Sequence, residues 1–213
     1  MNEELIDAVY EAVLNGDIPE VPGLVQAALD DGWDAQAVLN RGMVAAMTEV
    51  GCLFEEGEYF LAEMFTSAKA LQAGLTVLRP LLAEENVAAV GKVVIGTVKG
   101  DMHDIGKNLV TMMLEGAGFA VEDLGADVAP ARFVAAVEQH KPDVVAMSAL
   151  LTTTMPSMQA TIEALAAAGL RNRVKVIVGG APVNSAYAEH IGADGYAADA
   201  SQAAALAKAL INL

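Results

Sequence analysis

The sequence predicts an α/β protein in two parts: an antiparallel four-helix bundle, then a doubly wound parallel sheet of five strands. Three observations predict it. Apolar residues recur at three- and four-residue spacing as far as about Leu82. The period then changes, and short apolar runs such as Val93-Val94-Ile95 alternate with helical segments. Of the 213 residues, 54% are apolar and only 5% aromatic, which suits a packed helical or α/β chain rather than a disordered one.

Asn2 caps a first helix whose Glu3 and Glu4 suit the positive end of its dipole. Leu5, Ile6, Val9 and Val13 form its inward stripe, and Gly16 ends it. Pro19 opens a second helix, with Val21, Leu24, Val25, Ala28 and Leu29 inward and Asp31-Gly32 as its stop. Asp34 caps a third, carrying Val38, Leu39, Met43, Met47 and Val50 and closed by Gly51. A longer fourth helix runs from near Tyr59 to near Leu82. Its apolar positions are Phe60, Met64, Phe65, Leu71, Leu75 and Leu78, and Pro80 bends its end. Short joints between amphipathic helices make an antiparallel bundle, with Trp33 in its core.

Glu84-Glu85-Asn86 is a polar joint. Strands follow at Val93–Thr97, Phe119–Glu122, Val144–Ser148, Val174–Val178 and Gly195–Ala197. Helices alternate with them at Ile105–Glu115, Pro130–Gln139, Pro156–Ala168, Ser185–Ile191 and Ser201–Ile211. Five βα units make a parallel sheet with helices on both faces, and the expected strand order is the flavodoxin-like 2-1-3-4-5. In such a sheet every βα loop emerges at the carboxyl edge, where ligands bind.

A net charge of −16 repels phosphate backbones and argues against nucleic acid as a partner. It can steer the chain towards basic surfaces. No uninterrupted run of about eighteen apolar residues suggests a membrane span, and the acidic start lacks the basic region of a signal peptide. One cysteine, Cys52, excludes an internal disulfide and fits a reducing cytoplasm.

The stretch from Thr97 to Leu109 bears the chemistry. It links a strand to a helix, so His103 sits on a rim loop, with Asp101 two residues before it and Gly106 three after. A carboxylate beside an imidazole can accept Nδ1–H, fix the tautomer and leave Nε2 free for a metal. Gly106 lets the backbone pass close to something bulky. Alone, such a loop histidine is ordinarily just solvated. Two further signals change its weight: Ser148-Ala149-Leu150 ends one strand, and Gly179-Gly180 ends another.

Together, Gly-Asp-x-His-Asp-Ile-Gly-Lys-Asn, Ser-x-Leu and Gly-Gly resemble the cobalamin-binding signature of corrinoid proteins and methionine synthases. The resemblance implies a bundle cap over 1–86 and a Rossmann-like, cobalamin-binding domain over 90–213. It implies that the cofactor, methylcobalamin or another corrinoid, binds base-off/His-on. Its benzimidazole arm leaves the cobalt for a slot in the fold, and His103 replaces it as lower axial ligand. Asp101 holds Nδ1–H, and Ser148 bonds the buried benzimidazole. Thr152 contacts the corrin side. Thr154, where the family often has serine, completes the relay through an equivalent hydroxyl. Gly100, Met102, Asp104, Ile105, Gly106 and Leu150 frame the ring. Gly179 and Gly180 leave room for the tail, and Ala197 to Ala200 line it. The plainer reading of Thr152-Thr153-Thr154 is a helix start.

Val50-Gly51-Cys52-Leu53-Phe54 and Phe60-Leu61-Ala62-Glu63-Met64 resemble the helical cap of methyl-transferring cobalamin proteins, with Ala62 where proline is usual. The resemblance places Phe54 and Leu61 over the methyl face, and it implies cobalt cycling between Co(I) and methyl-Co(III). The chain is then a methyl-carrying subunit, not catalytic alone. Its implied partners are a substrate-specific methyltransferase, a corrinoid:thiol or corrinoid:tetrahydrofolate methyltransferase, and a reductive activator. The cap would swing on a joint near Glu84–Ala89. Two alternatives share the loop. An adenosylcobalamin mutase small subunit needs no Phe54/Leu61 cap, and a cobalamin-dependent regulator needs a DNA-reading module. A receiver domain would need an aspartate where Ser148 stands. A zinc site lacks ligand spacing around His103.

Overall fold

A computed structural model describes residues 1–84 and 89–211. The chain divides into two compact units, Met1–Ala88 with Gly116–Gly118, and Ala89–Glu115 with Phe119–Leu213. The expected joint near Glu84–Ala89, and the boundary drawn at 86, fall largely outside the described residues.

The first unit is helical. Asn2 caps Glu3–Leu14 by accepting the Glu4 N–H at 3.1 Å. The second helix, Val21–Asp30, opens later than expected: Pro19 lies in the preceding turn, and Pro22 occupies the first helical turn. Asp34 caps the third through the Ala37 N–H at 2.7 Å. This helix does not stop at Gly51. It runs over Ala35–Glu56, with a π-helical segment at Val38–Val44, and ends at Gly57, whose φ of 79° is left-handed. Gly51 is instead a buried interior residue. An 18-residue window of Ala35–Glu56 reaches a mean hydropathy of 1.2, enough by length and composition to cross a membrane, yet much of it is buried within the protein, as a core helix is. Val38, Met43, Met47 and Val50 on it are buried. The fourth helix is Leu61–Glu84, with Pro80 inside it. Met64, Leu71, Leu75 and Leu78 are buried, but Phe60 and Phe65 are exposed. Phe60 precedes the helix, and its N–H is held by Glu63 at 3.0 Å. Phe65 lies beside inward Met64 and carries the Lys69 ammonium over its ring at 4.4 Å. Trp33 is buried and donates Nε1–H to the Asn2 carbonyl at 3.2 Å.

The second unit holds five parallel strands in the order β2-β1-β3-β4-β5. They are β1 Lys92–Thr97, β2 Ala120–Asp123, β3 Val144–Ser148, β4 Lys175–Gly179 and β5 Gly195–Ala197. This is the expected order: the chain steps from β1 out to β2, then reverses past β1 to β3, β4 and β5, and right-handed crossovers put the helices of the two directions on opposite faces. Val94, Val145, Met147, Val176 and Val178 face one side. They pack with residues of the helices Pro130–His140, Pro156–Ala167 and Ser185–His190. Val93, Ile95, Val144, Ala146 and Ile177 point to the other side and are equally buried. Leu206 of the helix Ala200–Leu210 covers that side at Gly195, the register partner of Ile177. Strands buried on both faces explain the near-continuous apolar runs.

The register has a direct consequence. Thr97 pairs with Ser148, Ser148 with Gly179, and Gly179 with Ala197. One row across the carboxyl edge therefore starts the four loops in which the sequence placed its candidate residues.

Candidate functional site

The first loop leaves β1 with the Val98 N–H bonded to the Ser148 carbonyl at 3.0 Å. Gly100 takes a φ of 86° and turns the chain so that the Asp101 N–H meets the Val98 carbonyl at 3.1 Å. Asp101 is fully buried. Its Oδ1 accepts the His103 N–H at 3.0 Å and the His103 Nδ1–H at 2.7 Å. Its Oδ2 accepts the N–H groups of Leu150 and Leu151 at 2.7 and 3.3 Å, and the Thr154 hydroxyl at 2.7 Å. Burial pushes the Asp101 carboxyl up, but these donors outweigh it. The His103 and Leu150 amides, the Thr154 hydroxyl and the imidazole hold it well below the usual carboxylate range. An ionised carboxylate only accepts, so Nδ1 carries the proton and Nε2 presents its lone pair. The His103 side chain is 52% exposed, so that lone pair is open to a ligand.

What surrounds the imidazole is apolar and outward. Met102, Ile105, Leu150 and Leu151 are all exposed, Ile105 at 84%. Gly106, in the first turn of the helix Ile105–Gly116, has nothing within 4 Å of the position a Cβ would take. An imidazole held through Nδ1, an apolar rim and open space at Gly106 fit a flat macrocycle with a transition metal at its centre.

The other candidates fall into place around this core. Asp104 is exposed at the helix start, where its carbonyl accepts the Asn108 N–H at 2.7 Å. Ser148 Oγ lies 2.8 Å from Thr97 Oγ1. Thr97 also donates to the His103 carbonyl at 3.0 Å. Thr154 is buried, whereas Thr152 is exposed in the turn before the helix. Ala200 is buried as the first residue of the last helix. Gly179 and Gly180 differ from the reason given for them. A Cβ on Gly179 would meet the Ala197 carbonyl oxygen at 2.9 Å, and one on Gly180 would meet that of Ala149 at 1.9 Å. A backbone oxygen stands close to where each Cβ would, so the pair lets neighbouring loops pack. Phe54 and Leu61 belong to the helical unit, where Phe54 is half-buried and Leu61 is 61% exposed.

The sequence reading assigned no role to Thr97, Lys107, Asp123 or Asp127. Lys107 is buried, with Nζ bonded to Asp123 Oδ2 and, at 2.6 Å, to Asn108 Oδ1. A charge seven residues before buried Leu114, and so on the same helical face, was its signal. Asp127 bonds the Gly100 N–H at 2.7 Å. That contact spans 27 residues and leaves no local trace.

Comparison with known proteins agrees with this geometry. Residues 91–205 match the B12 binding domain, and residues 5–79 match a second B12 binding domain family. Dimethylamine corrinoid protein 1 of Methanosarcina acetivorans is 42% identical over 210 residues, covering 98% of each chain. The trimethylamine corrinoid protein of Methanosarcina barkeri is 42% identical over 213 residues, covering 99% of this chain and 98% of that one. Among solved structures, the methanol:cobalamin methyltransferase complex MtaBC from Methanosarcina barkeri matches with a TM-score of 0.86 at 31% identity. That match covers 100% of this chain and 82% of the other. The chain belongs to the B12-binding family of corrinoid proteins, with one B12 binding domain in the helical part and another in the α/β part.

Proposed function

We propose that the chain carries a methyl group on the cobalt of a bound corrinoid between two methyltransferases. One loads it from a small donor such as a methylamine, methanol, betaine or an aryl methyl ether. The other passes it to a thiol or tetrahydrofolate, and a reductive activator rescues accidentally oxidised cobalt. The relatives named for dimethylamine and trimethylamine support the methylamine part of that range. The matching methanol:cobalamin methyltransferase complex supports a methyltransferase partner.

The observation that carries the reading is the buried Asp101 gripping Nδ1 of a half-exposed imidazole within an apolar rim. When bound, the corrinoid supplies a cobalt centre that takes up and releases a methyl group. His103 Nε2 would be the protein nitrogen that holds the cobalt in base-off/His-on binding. Asp101 would hold the ring through Nδ1–H and fix the tautomer that leaves Nε2 for the metal. Thr154 anchors the far carboxylate oxygen and completes the relay. Ser148, Gly179, Gly180 and Ala200 flank the nucleotide tail. Gly100, Met102, Asp104, Ile105, Gly106, Leu150 and Thr152 frame the ring.

Electron paramagnetic resonance of the Co(II) holo-protein tests this. Protein labelled with ¹⁵N-histidine should change the nitrogen splitting, and His103→Ala should abolish it. A splitting indifferent to the label, or a chain that takes up no cobalamin, defeats the reading.

A further inference from the structure

The loop after β2 holds the His103 loop from behind. Asp127 has a φ of 53°, left-handed backbone that a side-chain-bearing residue rarely adopts. Its Oδ1 accepts the Gly100 N–H at 2.7 Å, and its own N–H donates to the Asp101 carbonyl at 2.9 Å. These two bonds bracket the residue that grips the imidazole. The next residue, Val128, donates to the Thr97 carbonyl at 2.9 Å and bridges Val98. Upstream, the Gly125 carbonyl accepts the Thr97 N–H at 2.9 Å. Asp123 Oδ1 holds the Gly125 N–H at 2.9 Å, while Asp123 Oδ2 pairs with Lys107 Nζ. Lys107 lies four residues beyond His103, so both flanks of the imidazole are tied to one short segment, 123–128.

We propose that Asp127 is a positioning residue that sets the height and tilt of His103 by clamping Gly100 and Asp101. The proposal rests on the reading of His103 as a cobalt ligand. Glycine would adopt this φ at lower cost. What aspartate adds is the acceptor for Gly100, and the strained backbone aims it there. Asp101 fixes the ring relative to the loop, and Asp127 fixes the loop relative to the sheet. Without the second, the first holds a ring that can drift, and a metal–nitrogen bond tolerates drift of only a few tenths of an ångström.

Three variants separate backbone from side chain. Asp127→Asn keeps the acceptor and the φ, Asp127→Gly keeps the φ alone, and Asp127→Ala keeps neither. In the apo-protein, the Gly100 amide should exchange about tenfold faster in the glycine and alanine variants and at the parent rate in the asparagine variant. In the Co(II) holo-protein, the fraction showing a histidine nitrogen should fall in the same two variants and be retained in the third. A full nitrogen signal in Asp127→Gly, despite faster Gly100 exchange, overturns the positioning role. So does an unchanged Gly100 exchange rate. If the parent protein shows no histidine nitrogen, the ligand reading itself fails and the positioning role falls with it. That result is distinct from a parent signal that survives in every variant.

Discussion

Gly106 and Gly180 sit on two loops of the same carboxyl edge, and both belong to the motif that first marks the site. They are glycines for opposite reasons. A Cβ on Gly106 would stand in open space on the outer side of the rim. A Cβ on Gly180 would stand 1.9 Å from the Ala149 carbonyl oxygen, at a residue whose φ is 122°. One glycine meets nothing in the protein, and on the proposed reading its open side faces the ligand. The other is fully explained by the protein and says little about a ligand. Polar groups divide similarly. Beneath the first loop both Asp101 oxygens are satisfied, while above it the His103 ring and its apolar neighbours face out. The edge thus has a finished underside and an open top. Substitutions should separate stability from binding according to which side they touch.

The largest effect belongs to the inward glycine. The atom that opposes a Cβ at position 180 is backbone, so no side-chain rotation relieves the clash, and the φ strains any L-residue. Gly180→Ala should cost about 4 kcal/mol or more, or leave the α/β part unable to fold. Urea unfolding of the apo-protein measures it. A midpoint within error of the parent would show that the loop shifts freely and that the contrast between the two glycines is false.

Next comes the carboxylate beneath the imidazole. Asp101→Asn keeps the volume but turns an amide N–H₂ towards donors, at a cost of about 2–3 kcal/mol in the apo-protein at neutral pH. The sign of the pH dependence follows from the direction of the shift. The folded-state pKa of Asp101 lies below its unfolded value. Its contribution is therefore complete above about pH 4 and is lost as pH falls through the folded value. As the pH falls below about 4, the gap in unfolding free energy between parent and Asp101→Asn should narrow steadily. A gap that holds constant into acid would mean that the carboxyl is not held ionised by its donors.

The core of the sheet was readable in the sequence because β1, β3 and β4 are buried on both faces, so these strands announced themselves as dense apolar runs. The edge strand β2, Ala120–Asp123, is largely exposed and starts one residue later than expected. Val144–Ser148 and Gly195–Ala197 coincide with the expected ends. The order followed from the alternation of strands and helices. In the bundle, Gly51 read as a stop, since a glycine after an apolar stripe ordinarily is one. Only packing shows that Gly51 is interior and that Gly57 makes the left-handed turn. The π segment Val38–Val44 was equally hidden, because one extra residue per turn barely disturbs an apolar stripe of this length. At the site, the motif named Asp101, His103 and Ser148. The register that lines Thr97 with Ser148, and the clamp that joins Asp127 to Gly100, are long-range contacts. Nothing local encodes such contacts, so a reading along the chain misses them.

The smallest effect on stability is the sharpest test of the comparison. Gly106 lies in the first turn of a helix, and no left-handed φ is required of it. Alanine there loses less backbone entropy on folding and meets no neighbour. Gly106→Ala should therefore leave the apo-protein unchanged or more stable by up to about 1 kcal/mol. On the proposed reading binding should move the other way, because the methyl would occupy space that the macrocycle would take around His103. Cobalamin affinity, read from the absorbance change on uptake, should fall at least about tenfold, roughly 1.4 kcal/mol. Loss of affinity in a chain that is no less stable cannot come from damage to the fold, so it would assign the outward space to the ligand. An unchanged affinity would make Gly106 as silent about the corrinoid as Gly180, and the open top of the edge would lose its meaning.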